Sequence, residues 1–262
     1  MSLVSEVELK EILPKDGPSI KETKKYLDKY SKDYIVIKMG GSVLSDKNLF
    51  NSLLEDIVVL KRLGLFIFLV HGGGLKISTK LNELNIKNNF INGLRVTDEK
   101  TINVVEDVLV KFNNEIINTL KRLKCKAKSI TSKECNIITV KQKNKILKFV
   151  GEPTGIRINI LKEIINNNEI PVIASLGLDE NKRTFNINAD TAAGSVAKKL
   201  GARRLLIISD VEGVLDNQKK LITEINLKKT KEMIKEGIIS GGMIPKIKNC
   251  LDVAKNGVKA VC

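Results

Sequence analysis

Residues 34–42 read YIVIKMGGS, and residues 65–74 read LFIFLVHGGG. In both stretches a nearly continuous apolar run ends directly in a glycine turn. A run without regular polar alternation is typical of a strand covered on both faces, as in a parallel sheet. Further strand-like runs lie at 137–140, 172–176, 205–209 and 258–261.

Helix-like segments separate these runs along the chain. They lie at 47–63, 75–84, 99–123, 158–167, 191–200, 227–235 and 243–255. Strands that alternate with helices build a sheet with helices on its faces. We therefore predict an α/β fold, a three-layer αβα sandwich with a mostly parallel central sheet. Two shorter helical stretches, at 4–13 and 20–31, precede it.

The composition suits a globular protein of one large domain or two lobes, with 262 residues of which 42% are hydrophobic. A net charge of +15 would suit nucleic acid, but aromatic residues are only 4% and the lysines are scattered. We therefore expect no nucleic-acid partner. No apolar run reaches the length of a membrane span, and residues 1–14 lack a signal-peptide pattern. We expect a cytoplasmic protein with no membrane partner.

The four cysteines have no C-x-x-C spacing, and His71 is the only histidine. No zinc site made of clustered histidines and cysteines is expected from such a chain.

Three glycine clusters fall where strands hand over to helices, at 40–41, 72–74 and 241–242. Glycine lets backbone N–H groups approach an anion closely, and a helix N-terminus adds a favourable dipole. Neither G-x-x-x-x-G-K-[ST] nor a G-x-G-x-x-G turn after a strand is present, so a P-loop and a dinucleotide fold are disfavoured. The three turns together predict a site for a polyphosphate or a carboxylate at the end of the sheet.

A set of seven motifs occurs in one order along residues 33–261. They are IKMGGS (37–42), VHGGG (70–74), NGLRVT (92–97), GEPT (151–154), NINAD (186–190), SDVEGVLD (209–216) and GGMIPK (241–246). With them the chain resembles the N-acetyl-L-glutamate kinases of the amino-acid kinase family. The first motif fits any member of that family, whereas NGLRVT and NINAD are more specific.

The resemblance implies ATP-dependent phosphorylation of the side-chain carboxylate of N-acetyl-L-glutamate to N-acetyl-L-glutamyl 5-phosphate, a step of arginine biosynthesis, with magnesium arriving on ATP. A carboxylate acceptor is already ionised at neutral pH, so no general base is needed. Phosphoryl transfer requires positioning and positive charge instead. By the resemblance, Lys38 and Lys246 neutralise the two ends of the transfer, and Asp190 orients both ammonium groups.

The resemblance also implies binding residues and no metal ligand from the protein. For the acceptor these are Gly73, Gly74, Arg95 and Asn186, with Arg95 gripping a carboxylate through a two-pronged fork. For the nucleotide they are Gly41, Asp210, Val211, Glu212, Gly213, Val214, Leu215, Ile238, Ile239 and Ser240. Gly40 and Asn188 support the site.

Three regions are expected along the chain: an N-terminal helical extension at 1–32, an acceptor-binding and dimerisation lobe at 33–180, and a nucleotide lobe at 181–262. The family continues beyond the point that Cys262 occupies, so we expect the nucleotide lobe to be truncated and arginine feedback to be weak or absent. The helix at 99–123 carries a long apolar stripe, from which we predict a homo-oligomer.

Two alternatives remain open at this point. One is a kinase of the same fold that acts on a related acidic amino-acid derivative. The other is a non-catalytic amino-acid-sensing domain of an N-acetylglutamate synthase. Such a domain would be expected to lose the catalytic lysines, whereas Lys38, Lys246 and Asp190 are all present.

Overall fold

The computed structural model describes residues 4–30, 33–44, 46–209, 211–241 and 243–262. The helices are α1 (Glu6–Ile12), α2 (Ile20–Tyr30), α3 (Lys47–Arg62), α4 (Gly74–Glu83), α5 (Glu99–Arg122), α6 (Ile158–Asn166), α7 (Ala189–Leu200), α8 (Leu227–Lys235) and α9 (Met243–Lys255). The strands are β1 (Tyr34–Met39), β2 (Phe66–His71), β3 (Phe90–Ile91), β4 (Leu94–Arg95), β5 (Ala127–Ile130), β6 (Ile138–Gln142), β7 (Gly151–Ile156), β8 (Ile170–Ala174), β9 (Leu176–Leu178), β10 (Thr184–Asn186), β11 (Arg204–Ile207) and β12 (Ala260–Val261).

The central sheet has six strands in the order β12-β11-β1-β2-β8-β5. Every neighbouring pair in it is parallel. The strands therefore end at one common edge, and in open sheets of this kind ligands bind beyond the carboxyl ends. The predicted parallel sheet is confirmed.

Side-chain alternation along β1 and β2 divides the core between the two faces of this sheet. Val36, Phe68 and Val70 pack with α6, α7 and the second sheet. Ile37 and Leu69 pack on the opposite face with α3, α5 and the two N-terminal helices. Residues two apart on a strand share a face, so Lys38 lies on the face of Val36, toward α7. The three-layer arrangement is as predicted.

A second sheet has four strands in the order β10-β9-β6-β7, and β3 and β4 form a separate hairpin. Strands β9 and β10 pair antiparallel across the predicted lobe boundary at 181. Asp179 closes the turn between them by accepting N–H bonds from Asn181 and Arg183. The boundary thus falls in a hairpin, and the division into two lobes stays a prediction.

The N-terminal helices α1 and α2 pack on the body of the chain. Leu9 and Leu27 are buried in the same apolar cluster as α3 and α5. At the end of α2, Tyr30 accepts a hydrogen bond from Arg204 at 3.1 Å. A short amphipathic helix requires such packing to be stable in water.

The apolar stripe of α5 does not provide the surplus surface from which the homo-oligomer was predicted. Its members are buried within their own chain apart from the half-buried Val108; they are Ile102, Val105, Leu109, Phe112, Ile116 and Leu120. The stripe covers the sheet and α4. Oligomerisation therefore stays a prediction without that support.

None of the helices in the described ranges is both long and apolar enough to cross a membrane.

Candidate active site

A cavity of about 430 Å³ opens where β1, β2 and β8 end. It brings together predicted residues from distant parts of the chain: Lys38, Gly40, Gly41, Gly73, Gly74, Arg95, Asn186 and Asn188. The positively charged residues that line the cavity are Lys38, Lys76 and Arg95. Among the described residues, no Asp or Glu lines it. Such a cavity favours an anionic ligand.

Lys38 lies at the base of this cavity and pairs with Asp190. Its Nζ is 2.9 Å from Asp190 Oδ1, and the two side chains are only 9% and 15% exposed. The contact is an ion pair rather than an aligned hydrogen bond, because Oδ1 has no hydrogen-bond partner among the described residues. Asp190 lies in the first turn of α7, where the helix dipole favours a negative charge. The prediction that these two residues meet is thus realised in the structure.

The position directly after β1 has no room for a side chain, because the Lys38 side chain folds back over Gly40. A Cβ at Gly40 would overlap Lys38 Nζ and would come within 2.8 Å of its Cε. Any larger residue therefore displaces the ammonium group. This is a steric reason for the first glycine of the turn, separate from contact with a ligand.

The N-terminus of α4 forms another wall. Gly73 is its N-cap and provides no side-chain hydrogen bond to the first turn. The first N–H groups of a helix have no carbonyl partner within the helix, and the dipole adds positive potential there. Gly73 and Gly74 both line the cavity, so these N–H groups suit a carboxylate or phosphoryl oxygen.

His71 is fully buried at the end of β2 and serves the glycine turn. Its Nδ1 lies 3.1 Å from the carbonyl oxygen of Gly72, and its Nε2 lies 3.0 Å from Asn113 Nδ2. A carbonyl can only accept, so Nδ1 carries the proton and Nε2 accepts from Asn113. Burial lowers the pKa of His71 to about 4. The ring is therefore neutral at neutral pH and is fully engaged.

The His71 contact also sets the direction of a neighbouring N–H group. In a planar trans peptide the C=O and the following N–H point opposite ways. Fixing the Gly72 carbonyl on His71 therefore fixes the Gly73 N–H on the other side of that peptide. The sequence singled out His71 only as the sole histidine and missed this role.

Lys246 lies on α9 and reaches the end of β11. Its Nζ donates to Ser209 Oγ at 3.0 Å. Among the described residues Asp190 forms its ion pair with Lys38, and the role of Asp190 in orienting the Lys246 ammonium stays a prediction. A link from α9 to Asp190 is made by Asn249, which donates to its main-chain oxygen at 2.9 Å.

Lys38, Lys246 and Asp190 all lie close enough to Cys250 to influence its thiol. Burial raises the pKa of the Cys250 thiol to about 11, and Asp190 adds to the rise while Lys246 and Lys38 oppose it. A single thiol thus feels all three charges. Sequence reasoning missed Ser209 and Asn249, although Asn249 follows Lys246 at helical spacing and so shares its face.

Arg95 is 6% exposed and is held by three hydrogen bonds. Nη2 donates to Gly74 O and to Ser78 Oγ, both at 3.0 Å, and Nη1 donates to Asn88 Oδ1. The guanidinium carbon Cζ of Arg95 lies 4.7 Å from the centroid of the Phe90 ring. Burial lowers its pKa, but a guanidinium stays charged in proteins.

These bonds bear on the predicted two-pronged grip. Both forks of a guanidinium include one Nη2 donor, and in Arg95 both Nη2 donors are already used within the protein. A carboxylate gripped by two prongs must therefore replace Gly74 O or Ser78. The sequence pointed to Arg95 but not to Ser78 and Asn88, which hold it.

Asn186 and Asn188 lie at the junction of β10 and α7. Asn186 lines the cavity. Asn188 is the N-cap of α7, and its Oδ1 accepts from the N–H of Thr191 at 3.1 Å. A side-chain cap of this kind stabilises a helix by about 1 kcal/mol. Asn188 therefore supports the turn of α7 that carries Asp190.

The predicted nucleotide residues divide into exposed and buried positions. Gly41 lies in the 3₁₀ turn Gly41–Leu44 with φ 67°, a conformation that favours glycine. The exposed positions are Val211, Glu212, Leu215 and Ser240, and the partly buried ones are Gly213, Val214 and Ile238. Ile239 is 1% exposed within the apolar cluster of α8 and α9, so only its backbone is available to a ligand. Asp210 lies outside the described residues.

No group of three or more His, Cys, Asp or Glu side chains among the described residues is arranged to hold a metal ion. The residues around the cavity fit an anion rather than a bare cation.

Comparisons with known proteins agree with this geometry. Residues 33–262 match the model of the amino acid kinase family. The chain is 66% identical over 261 residues to the acetylglutamate kinase of Pelagibacter ubique (strain HTCC1062), covering 100% of this chain and 91% of that protein. The structure of smu.665 from Streptococcus mutans UA159 superposes with a TM-score of 0.80 at 30% identity, covering 87% of this chain and 92% of that one.

N-acetylglutamate synthase from Neisseria gonorrhoeae, complexed with coenzyme A and N-acetyl-glutamate, superposes with a TM-score of 0.81 over 92% of this chain and 57% of that one. At 19% identity this likeness shows the fold alone. The family match over nearly the whole chain and the closely similar bacterial kinase settle the classification: the chain belongs to the amino acid kinase family.

Proposed function

We propose that this chain transfers the γ-phosphoryl group of ATP to the side-chain carboxylate of N-acetyl-L-glutamate, as a step of arginine biosynthesis in the cytoplasm. The observation that carries the proposal is a single cavity lined by Lys38, which pairs with Asp190 behind it, by the uncapped N-terminus of α4 and by Arg95. The similar protein of Pelagibacter ubique bears the name acetylglutamate kinase.

The reaction needs no proton transfer. An oxygen of the acceptor carboxylate forms a bond to the γ-phosphorus, the bond from that phosphorus to the β–γ bridging oxygen breaks, and ADP leaves with the electron pair. A carboxylate of pKa about 4 is ionised at neutral pH, so a base is superfluous. This agrees with a neutral, fully bonded His71 as the sole histidine.

The charges in the cavity suit an acceptor that carries two carboxylates. Arg95 is a fixed guanidinium for one of them. The other would meet the first N–H groups of α4, with the Lys38 ammonium beside the transferring group. A cation that is pre-positioned in a partly buried site stabilises developing charge without reorganising when the reaction occurs.

The nucleotide side of the site is proposed for residues on and around α9. Lys246, held by Ser209, would neutralise the phosphate chain at the leaving end. The partly exposed Val211–Leu215 segment would carry the rest of the nucleotide. Magnesium is proposed to arrive with ATP, where it offsets phosphate charge, since the described residues offer no carboxylate cluster for it.

The test is a coupled ADP-release assay with N-acetyl-L-glutamate, glutamate, aspartate and aminoadipate as acceptors. Hydroxylamine traps an acyl phosphate as a coloured hydroxamate, which separates acceptor phosphorylation from ATP hydrolysis. We expect N-acetyl-L-glutamate to give the highest kcat/KM and an equal yield of hydroxamate and ADP. Preference for aminoadipate would favour the related-acid kinase, and ADP release with no acceptor dependence would contradict the proposal.

A further inference from the structure

Thr97 lies between two of the proposed acceptor-binding residues. Its side chain is fully buried, with 0% exposure. Its Oγ1 donates to the main-chain oxygen of Arg95 at 2.9 Å and lies 3.3 Å from Asn186 Nδ2. It stands two residues after Arg95 on the chain and 89 residues before Asn186. One hydroxyl thus joins residues of distant segments.

The hydroxyl has one hydrogen, and this determines the direction of both bonds. The Arg95 carbonyl can only accept, so it takes the Thr97 hydrogen. The Thr97 oxygen must then accept from Asn186, which places the amide nitrogen of Asn186 against Thr97. The amide oxygen is left on the other side of that side chain. The oxygen and the NH2 group of an Asn carboxamide have nearly the same shape. This bond therefore selects one of the two orientations that differ by a 180° rotation of the amide.

The main chain makes the same connection independently of the hydroxyl. Thr97 donates its N–H to Leu147 O at 3.2 Å and accepts from the Phe149 N–H at 2.8 Å. The Asn186 N–H donates to Phe149 O at 2.9 Å. Removing the hydroxyl therefore leaves these segments joined through the main chain, and removes only its two bonds, to the Arg95 carbonyl and to the Asn186 amide.

We propose that Thr97 is a positioning residue that fixes the Asn186 carboxamide with its oxygen free to accept a hydrogen bond from an N–H of the acceptor. The inference rests on the proposed function, in which Asn186 contacts the acceptor. It predicts a preference for acceptors that carry an N–H next to the α-carbon over esters in which oxygen replaces that nitrogen. An ester oxygen has no hydrogen to donate and would face the Asn186 oxygen unfavourably.

The experiment compares Thr97→Val with Thr97→Ser in the full chain. Valine matches threonine in shape and lacks the hydroxyl, whereas serine keeps the hydroxyl and lacks the methyl group. KM and kcat are measured for ATP, N-acetyl-L-glutamate and its ester analogue 2-acetoxyglutarate, and acceptor binding is measured by calorimetry. We expect Thr97→Val to raise the KM and Kd for N-acetyl-L-glutamate about 10-fold, as loss of one oriented hydrogen bond implies.

The other readouts separate positioning from general damage. In Thr97→Val the ATP KM should stay within about 2-fold of wild type, and the preference for N-acetyl-L-glutamate over the ester should fall by about the same 10-fold. Thr97→Ser should restore both. Equal losses of this preference in the two variants, or an unchanged preference in folded Thr97→Val, would overturn the proposal.

Two further arms keep the outcome decisive. If Thr97→Val does not fold, Thr97→Ala removes the same hydroxyl with less demand on space, and the same comparison applies. In an Asn186→Ala background, removal of the Thr97 hydroxyl should have no further effect on acceptor binding, and an undiminished effect would overturn the inference. Wild-type enzyme that ignores N-acetyl-L-glutamate would refute the proposed function instead, and the variants would then be compared on the acceptor that it does use.

Discussion

His71 should make the chain less stable in mild acid, and the variant His71→Asn should remove most of that sensitivity. The ring is fully buried, and burial lowers its pKa to about 4 from 6.5. Between these values the unfolded chain binds a proton that the folded chain excludes. Stability attributable to His71 is therefore present above the unfolded pKa and is lost as the pH falls toward the folded pKa.

The magnitude follows from the two pKa values. At about pH 5 the linkage relation gives a loss of about 2 kcal/mol relative to about pH 8, rising to about 3 kcal/mol below both pKa values. Asparagine can still donate to Gly72 O but does not titrate. Because His71 is the only histidine, the variant has no histidine contribution at all.

The assay is urea unfolding of both proteins at about pH 8 and about pH 5, each pH being chosen to bracket the histidine titration. Carboxylates contribute equally to the wild type and the variant. The difference between the two proteins in how the free energy of unfolding changes from about pH 8 to about pH 5 therefore isolates His71. We expect wild type to lose about 2 kcal/mol more than the variant over this interval. Equal changes in the two proteins would show that His71 titrates normally, and a wild type stabilised by acid would mean that the ring pairs with a negative charge.

Three further changes test the site. Lys38→Ala and Lys246→Ala should each lower kcat by about 10²–10³ with the fold intact by circular dichroism, while Lys199→Ala, an exposed lysine on α7, should be neutral; near-normal turnover in either active-site variant would remove that lysine from catalysis. Gly40→Ala should lower kcat by a comparable factor, because its Cβ would overlap the Lys38 ammonium, and wild-type kinetics would refute this steric account. Arg95→Lys should raise the acceptor KM far more than the ATP KM, since lysine keeps the charge but loses the planar fork; equal changes in both would assign Arg95 a structural role.

The central sheet was predictable because its strands carry a strong apolar signal. The strand Tyr34–Met39 has the bounds read from the sequence, and β2, β8 and β11 differ from their predicted bounds by one or two residues at either end. Helices α8 and α9 agree at both ends. For β1, β2 and β8, burial on both faces of the sheet accounts for their apolar composition.

In the second sheet only β6 was predicted, as the apolar run at 137–140; β7, β9 and β10 carry no comparable signal. β7 reads GEPTGI, and glycine and proline normally argue against a strand. β9 and β10 have three residues each, too few to show a period. These strands form because β6 and the turn at Asp179 provide partners, and strand propensity depends strongly on such context.

In the site, the charged residue Lys38 was predictable from the sequence, whereas the polar residues that hold the site residues in place were not. Lys38 was predictable because a charge at the end of an apolar strand needs a partner, and Asp190 provides it. Thr97, Ser209 and Asn249 are small polar residues, whose types occur throughout any chain and carry no signal by themselves. Only the structure shows that each one bonds to a charged or binding residue.

His71 illustrates why residue type is a weak guide to chemistry at this site. A sole histidine beside a glycine turn invites the role of general base, yet both of its ring nitrogens are bonded within the protein and its pKa is about 4. A base of that kind would gain nothing here, because a carboxylate acceptor has no proton to lose. The requirement that remains is geometric: N–H donors must already be oriented toward the site of the reacting oxygens before the substrates bind. A buried neutral imidazole that holds the Gly72 carbonyl fixes the direction of the Gly73 N–H, whereas a protonated one would have to break its bond to Asn113.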